Sequence, residues 1–122
     1  RTHMCWATGN PADGYYALKA TAESKGAMDM VSDEEVVDGI KLLAQTEGIF
    51  AETGGGVTIR VLKKLVKQGT IKKSDVTVAY ITGNGLKTQE AVIDAVGRPV
   101  RISPSLVAFE KTFKMGKNGG DA

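Results

Sequence analysis

Apolar positions along this chain change their period from one stretch to the next. After Ser32 they recur at Val36, Ile40, Leu43 and Ala44, the i, i+4, i+7, i+8 spacing of an amphipathic helix ending before Gly48. Ser32-Asp33-Glu34-Glu35 reads as its capping box, each end able to satisfy the other's free amide. Thr53 is the expected cap of a further helix with Val57, Val61, Leu62, Leu65 and Val66 inward and Arg60, Lys63, Lys64 and Lys67 outward, closed by Gly69. Val76 to Ile81 breaks this period. It is an uncharged run rich in Val, Thr and Tyr, which suits a strand covered on both faces. It ends in the glycine-bracketed loop Thr82-Gly83-Asn84-Gly85.

The weaker patterns complete the order. Asn10 caps and Pro11 opens a first helix, with Tyr15, Leu18 and Ala22 on one face and Gly26 as its stop. Ala27 to Val31 reads as a short edge strand. Thr88 is the expected cap of a helix carrying Ala91, Val92, Ala95 and Val96 inward, stopped by Gly97. Val100 and Ile102 form a brief strand, and Ser103-Pro104 restarts a helix with Leu106, Phe109 and Phe113 on one stripe. Helix, strand, helix, helix, strand, helix, strand, helix predicts an α/β fold, its helices packed on a small, mostly parallel sheet.

Composition narrows the function. With 16 basic and 14 acidic residues in 122, the net charge is only +2, which favours neither nucleic acid nor an anionic membrane as partner. No apolar stretch nears the roughly 18 residues needed to span a bilayer. The lone Cys5 cannot form an internal disulfide; it fits a reducing compartment, the cytoplasm, if the chain starts near Arg1. The lone His3 excludes a Ser/His/Asp or Cys/His site away from the terminus, and no Cys/His spacing suits a metal.

Two places combine glycines with polar groups at element ends. Glu52-Thr53-Gly54-Gly55-Gly56 feeds a helix start, where each glycine costs roughly 1 kcal/mol of helix propensity. Close approach of a ligand or of another backbone would explain them, and Glu52 reads equally as a carboxylate complementing its own helix dipole. Thr82-Gly83-Asn84-Gly85 lies at the end of the expected strand, where open α/β sheets bind ligands; a tight turn explains it as well. Thr82 offers a hydroxyl suited to a neutral ring nitrogen. Lys87 reads as a solvated or loop-pinning cation rather than a base.

Taken together, Gly9-Asn10-Pro11-Ala12-Asp13-Gly14, Val31-Ser32-Asp33-Glu34-Glu35, Thr46-Glu47-Gly48-Ile49-Phe50-Ala51-Glu52 and Ile81-Thr82-Gly83-Asn84-Gly85-Leu86-Lys87 resemble the threonine synthase family. These are pyridoxal-phosphate enzymes of the tryptophan synthase β-like (fold type II) superfamily. The resemblance runs from about Gly9 to Lys87, with a compatible tail to about Phe113. It implies a C-terminal part of a larger catalytic domain, spanning residues 9–115, with an atypical leader at 1–8 and a flexible tail at 116–122.

The resemblance also implies a lyase reaction, O-phospho-L-homoserine and water to L-threonine and phosphate, with pyridoxal 5'-phosphate as cofactor. Thr82 matches the hydroxyl residue that bonds the pyridine nitrogen. Glu52 matches a loop beside the ring, which Gly54 lets approach; Gly83 and Asn10 are expected to line the pocket. The Schiff-base lysine belongs to an N-terminal part that no lysine here matches, so the catalytic set of this stretch is empty and the chain alone is expected to be inactive. The missing part and, once complete, a second copy in a homodimer are the expected partners. Thr53 stands where the family commonly has Pro, and Thr88-Gln89 where it has Asp-Pro; Arg1 to Thr8 match nothing expected upstream. A stand-alone module for small phosphorylated ligands and a sister serine/threonine dehydratase are the alternative readings.

Overall fold

The computed structural model describes residues 11–97 and 99–113. Helices dominate: α1 (Gly14–Glu23), α2 (Asp33–Glu47), α3 (Thr53–Lys67) and α4 (Leu106–Phe113), with single 3-10 turns at Gly85–Lys87 and Gln89–Ala91. The leader, Asn10 and the 116–122 tail lie outside the described residues.

α2 forms as its sequence dictates. The Ser32 hydroxyl accepts from the Glu35 amide, and the Glu35 carboxylate accepts from the Ser32 amide at 2.9 Å. Gly48, at φ 68°, supplies the left-handed C-cap that residues with a Cβ adopt only at a cost. Val36, Ile40 and Leu43 are buried, and Val36 and Ile40 join Val92 in the central cluster.

α2 packs on α3 through facing glycines. A Cβ on Gly56 would meet the Val36 carbonyl oxygen at 2.5 Å and Ile40 Cγ1 at 2.8 Å, and one on Gly39 would strike the Gly56 backbone. The helices therefore approach backbone to backbone, which accounts for Gly56 without a ligand. Glu35 adds a polar clasp: Arg60 Nη2 lies 3.2 Å and Lys64 Nζ 2.9 Å from its carboxylate. Lys64 also donates to the Met30 carbonyl at 2.6 Å. Arg60 and Lys64 were expected to point into solvent; they turn back because Glu35 and Met30 offer acceptors within reach.

Elsewhere the sequence pattern meets its limits. Among the described residues no segment forms a β-ladder, and the one pairing is an isolated antiparallel bridge between Ala51 and Asn84. The strands expected at 27–31, 76–81 and 100–102 have no neighbour to pair with, so the sheet is not formed within this stretch. Val76, Val78 and Tyr80 are 97%, 71% and 79% exposed. The helix expected after Thr88 reduces to a 3-10 turn and further turns, with Val92 alone of its four inward positions buried. α1 begins after Asp13 rather than at Pro11, and Lys25, not Gly26, takes the positive φ beyond its end. The hydroxyl that caps α4 is that of Ser105, which accepts from the Ala108 amide at 3.2 Å, rather than that of Ser103. No helix among the described residues is long and apolar enough to cross a membrane.

Candidate functional site

Phe50-Ala51-Glu52 and Gly83-Asn84-Gly85 meet as two short extended pieces. The Glu52 amide donates to the Gly83 carbonyl and the Gly85 amide to the Phe50 carbonyl, both at 3.0 Å. Buried Ala51 sits opposite Asn84 in this bridge. The side chains explain the glycines. A Cβ on Gly83 would overlap the Glu52 carboxyl group, and one on Gly85 would meet the Phe50 ring at 2.5 Å. Both positions are glycine because another part of the chain occupies the space.

The loop then turns on itself. Asn84 Oδ1 accepts from the Leu86 amide at 2.9 Å and starts the 3-10 turn that carries Lys87. Lys87 Nζ returns to Glu52 Oε2 at 3.1 Å. Thr88 Oγ1 accepts from the Thr53 amide at 3.2 Å. That last contact corrects two expectations: Glu52, not Thr53, holds the N-cap position of α3, and Thr88 serves the start of α3 instead of a helix of its own. A hydroxyl spent on another element cannot cap its own.

α3 starts on the same spot. The Glu52 carbonyl accepts from the Gly55 and Gly56 amides at 2.9 and 3.2 Å, and Gly54 O accepts from the Thr58 hydroxyl at 3.0 Å. The Glu52 side chain is 14% exposed, with its carboxylate near the positive end of the helix. Gly55 has a separate reason to be glycine, since its Cβ would lie 2.5 Å from Ala51 Cβ. Thr82 is exposed, and its hydroxyl bonds no described residue.

The structure thus brings Glu52, Gly54, Thr82 and Gly83 onto one small unit; Asn10 falls outside the described residues. The sequence suggests a buried Phe50 and a Thr88 cap; Phe50 is instead 37% exposed. The contacts that sequence reasoning missed are the Phe50 ring against Gly85 and the Thr88 hydroxyl on the Thr53 amide, the second glycine of the loop being the available signal for the ring. A groove of about 290 Å³ between α2 and α3, lined by Asp38, Lys41, Leu42, Gln45, Arg60 and Lys63, contains none of the candidate residues. Among the described residues no cluster of His, Cys, Asp or Glu could hold a metal.

A hydroxyl bonded to no described residue, next to a carboxylate-backed glycine, has the chemistry to bond a neutral ring nitrogen. A family model for pyridoxal-phosphate dependent enzymes matches residues 3–83. The chain belongs to that family. Its members are pyridoxal-phosphate dependent enzymes. The chain is 47% identical over 87 residues to a threonine synthase of Bacillus sp. (strain ULM1), covering 71% of this chain and 25% of that protein. It is 39% identical over 106 residues to a threonine synthase of Methanocaldococcus jannaschii, covering 87% and 26%. For one of Mycobacterium tuberculosis the figure is 33% over 101 residues, covering 81% and 28%. The chain spans about a quarter of the length of these curated relatives.

Proposed function

We propose that this chain is the C-terminal part of a threonine synthase, contributing Thr82 and Glu52 to a cofactor site completed by the rest of the enzyme. The observation that carries the reading is the similarity to threonine synthases, reaching 47% identity. The loop geometry supports it, because Thr82 is exposed beside a fixed turn and its hydroxyl bonds no described residue.

The complete enzyme would convert O-phospho-L-homoserine and water to L-threonine and phosphate in the cytoplasm, as a homodimer. Pyridoxal phosphate, when bound, supplies the electron sink for that reaction. This chain's part is to hold and orient. Thr82 would meet the ring nitrogen as a neutral hydroxyl, leaving it unprotonated and the sink moderate, where an aspartate would strengthen it. Glu52, Gly54 and Gly83 would form the wall beside the ring, with Asn10 lining the pocket. Residues 9–115 would belong to the catalytic domain, the lysine that holds the cofactor lying in the part its relatives carry ahead of this stretch. Taken alone, the chain would not turn over substrate.

The test is a chimaera in which this chain replaces the matching quarter of the Bacillus relative. Cofactor absorbance with phosphate and threonine formed from O-phospho-L-homoserine is the expected result. Deamination of serine or threonine instead would favour a dehydratase. A folded chimaera that binds no cofactor and forms neither product sinks the reading.

A further inference from the structure

The contact between Lys87 and Glu52 ties the loop to the helix start in a specific way. Glu52 is largely enclosed, whereas Lys87 is 65% exposed. Its ammonium lies 3.1 Å from Oε2, while the rest of the carboxyl group packs where a Gly83 Cβ would be. Thr82 is the next residue back along the chain. The backbone of Lys87 is held by its 3-10 turn, in which its amide donates to the Asn84 carbonyl at 3.2 Å and the Thr88 amide to the Gly85 carbonyl at 3.1 Å. A continuous path of contacts therefore runs from Lys87 through the Glu52 carboxylate and the Gly83 backbone to Thr82.

We propose that Lys87 is the positioning residue of this site: it fixes the Glu52 carboxylate, and through Gly83 packed on that carboxylate it fixes where Thr82 presents its hydroxyl. The proposal deepens the cofactor reading above and rests on it. A pair involving so exposed a lysine adds little to stability, so its value lies in geometry. Small misplacements of a positioned group are expensive in rate, up to roughly a hundredfold for an ångström.

The chimaeric enzyme described above tests this with Lys87→Met, Lys87→Gln and Lys87→Arg. K87M is expected to shift the absorption and emission of the bound cofactor, which report on the bond at its ring nitrogen, and to lower kcat roughly ten- to hundredfold. KM for the phosphorylated substrate and the melting temperature should change little, and K87R should restore most of both losses. In the cofactor-free protein, K87M should speed hydrogen exchange at the Glu52 and Gly85 amides. K87Q carries the same expectations should K87M not fold. Unchanged spectra, exchange and kcat in a folded variant would overturn the positioning role while leaving the cofactor reading intact. A parent chimaera that takes up no cofactor overturns both.

Discussion

At Gly83 a single methyl group decides between two structures. It would have to share space with the Glu52 carboxyl, whose backbone is already bound to Gly83 through the bridge. Gly83→Ala must therefore push out either the carboxylate or the loop, and overpacking of this kind costs about 1–3 kcal/mol. In the complete enzyme it should weaken cofactor binding, measured by titrating cofactor absorbance; unaltered binding would mean that the loop is free of Glu52. Glu35 gives a second prediction at this scale. The hydrogen bonds from Lys64 and the Ser32 amide, with a lesser one from Arg60, outweigh the opposing effect of burial and hold its carboxyl down from 4.5 to about 2. A carboxyl whose folded value is depressed stabilises the fold fully above its unfolded value and loses that contribution as pH falls through the folded one. Glu35→Gln keeps a capping-box side chain but drops the charge. The gap in melting temperature between parent and variant should stay constant above about pH 5 and close as pH falls from 4.5 towards 2. A gap that persists at pH 2 would remove the ion pairs from the account.

Between elements, the closest approach is the α2–α3 crossing. Gly56→Ala gains roughly 1 kcal/mol of helix propensity but sets a methyl 2.5 Å from the Val36 carbonyl oxygen. Backbone cannot step aside as a flexible side chain can, so the overpacking cost of about 1–3 kcal/mol or more should win. Chemical denaturation of the complete enzyme should show G56A less stable than its parent; a stabilised variant would mean that the helices stand further apart. This scale also shows what was legible in advance. The Ser32 box, the Gly48 stop and the Val36, Ile40 and Leu43 positions of the stripe are legible because each is local, settled by residues within a turn or two, whereas Ala44, expected beside them, is exposed. The Glu52 and Thr82 motifs were visible as glycine-rich text. Their contact was not, since residues 52 and 87 meet only after the chain has turned back. Thr88 misled for the same reason: its hydroxyl looks like a local cap and is used by an element 35 residues away.

At the scale of the whole molecule, the least satisfied stretch among the described residues is 76–82. Its backbone makes no hydrogen bond to any described residue, although its composition is that of a buried strand. Water can satisfy those amides, but it cannot cover Val76, Val78 and Tyr80, and a long uncharged unpaired segment is a template for pairing with another chain. The partly covered face of α3 at Val61, Leu62 and Leu65 adds to the apolar surface. Patches of this kind on one small protein promote association. The chain on its own should therefore self-associate with rising concentration, seen as a concentration-dependent increase in sedimentation coefficient. Val78→Lys, a charge placed at a position 71% exposed, should suppress that association without disturbing the α2–α3 core. The same substitution in the complete enzyme should be harmful, because a strand covered on both faces has no room for a buried ammonium. Opposite effects in the two settings would identify 76–82 as a strand awaiting its sheet. A sharp monomer at high concentration, or a V78K enzyme as stable as its parent, would instead make it an ordinary surface loop.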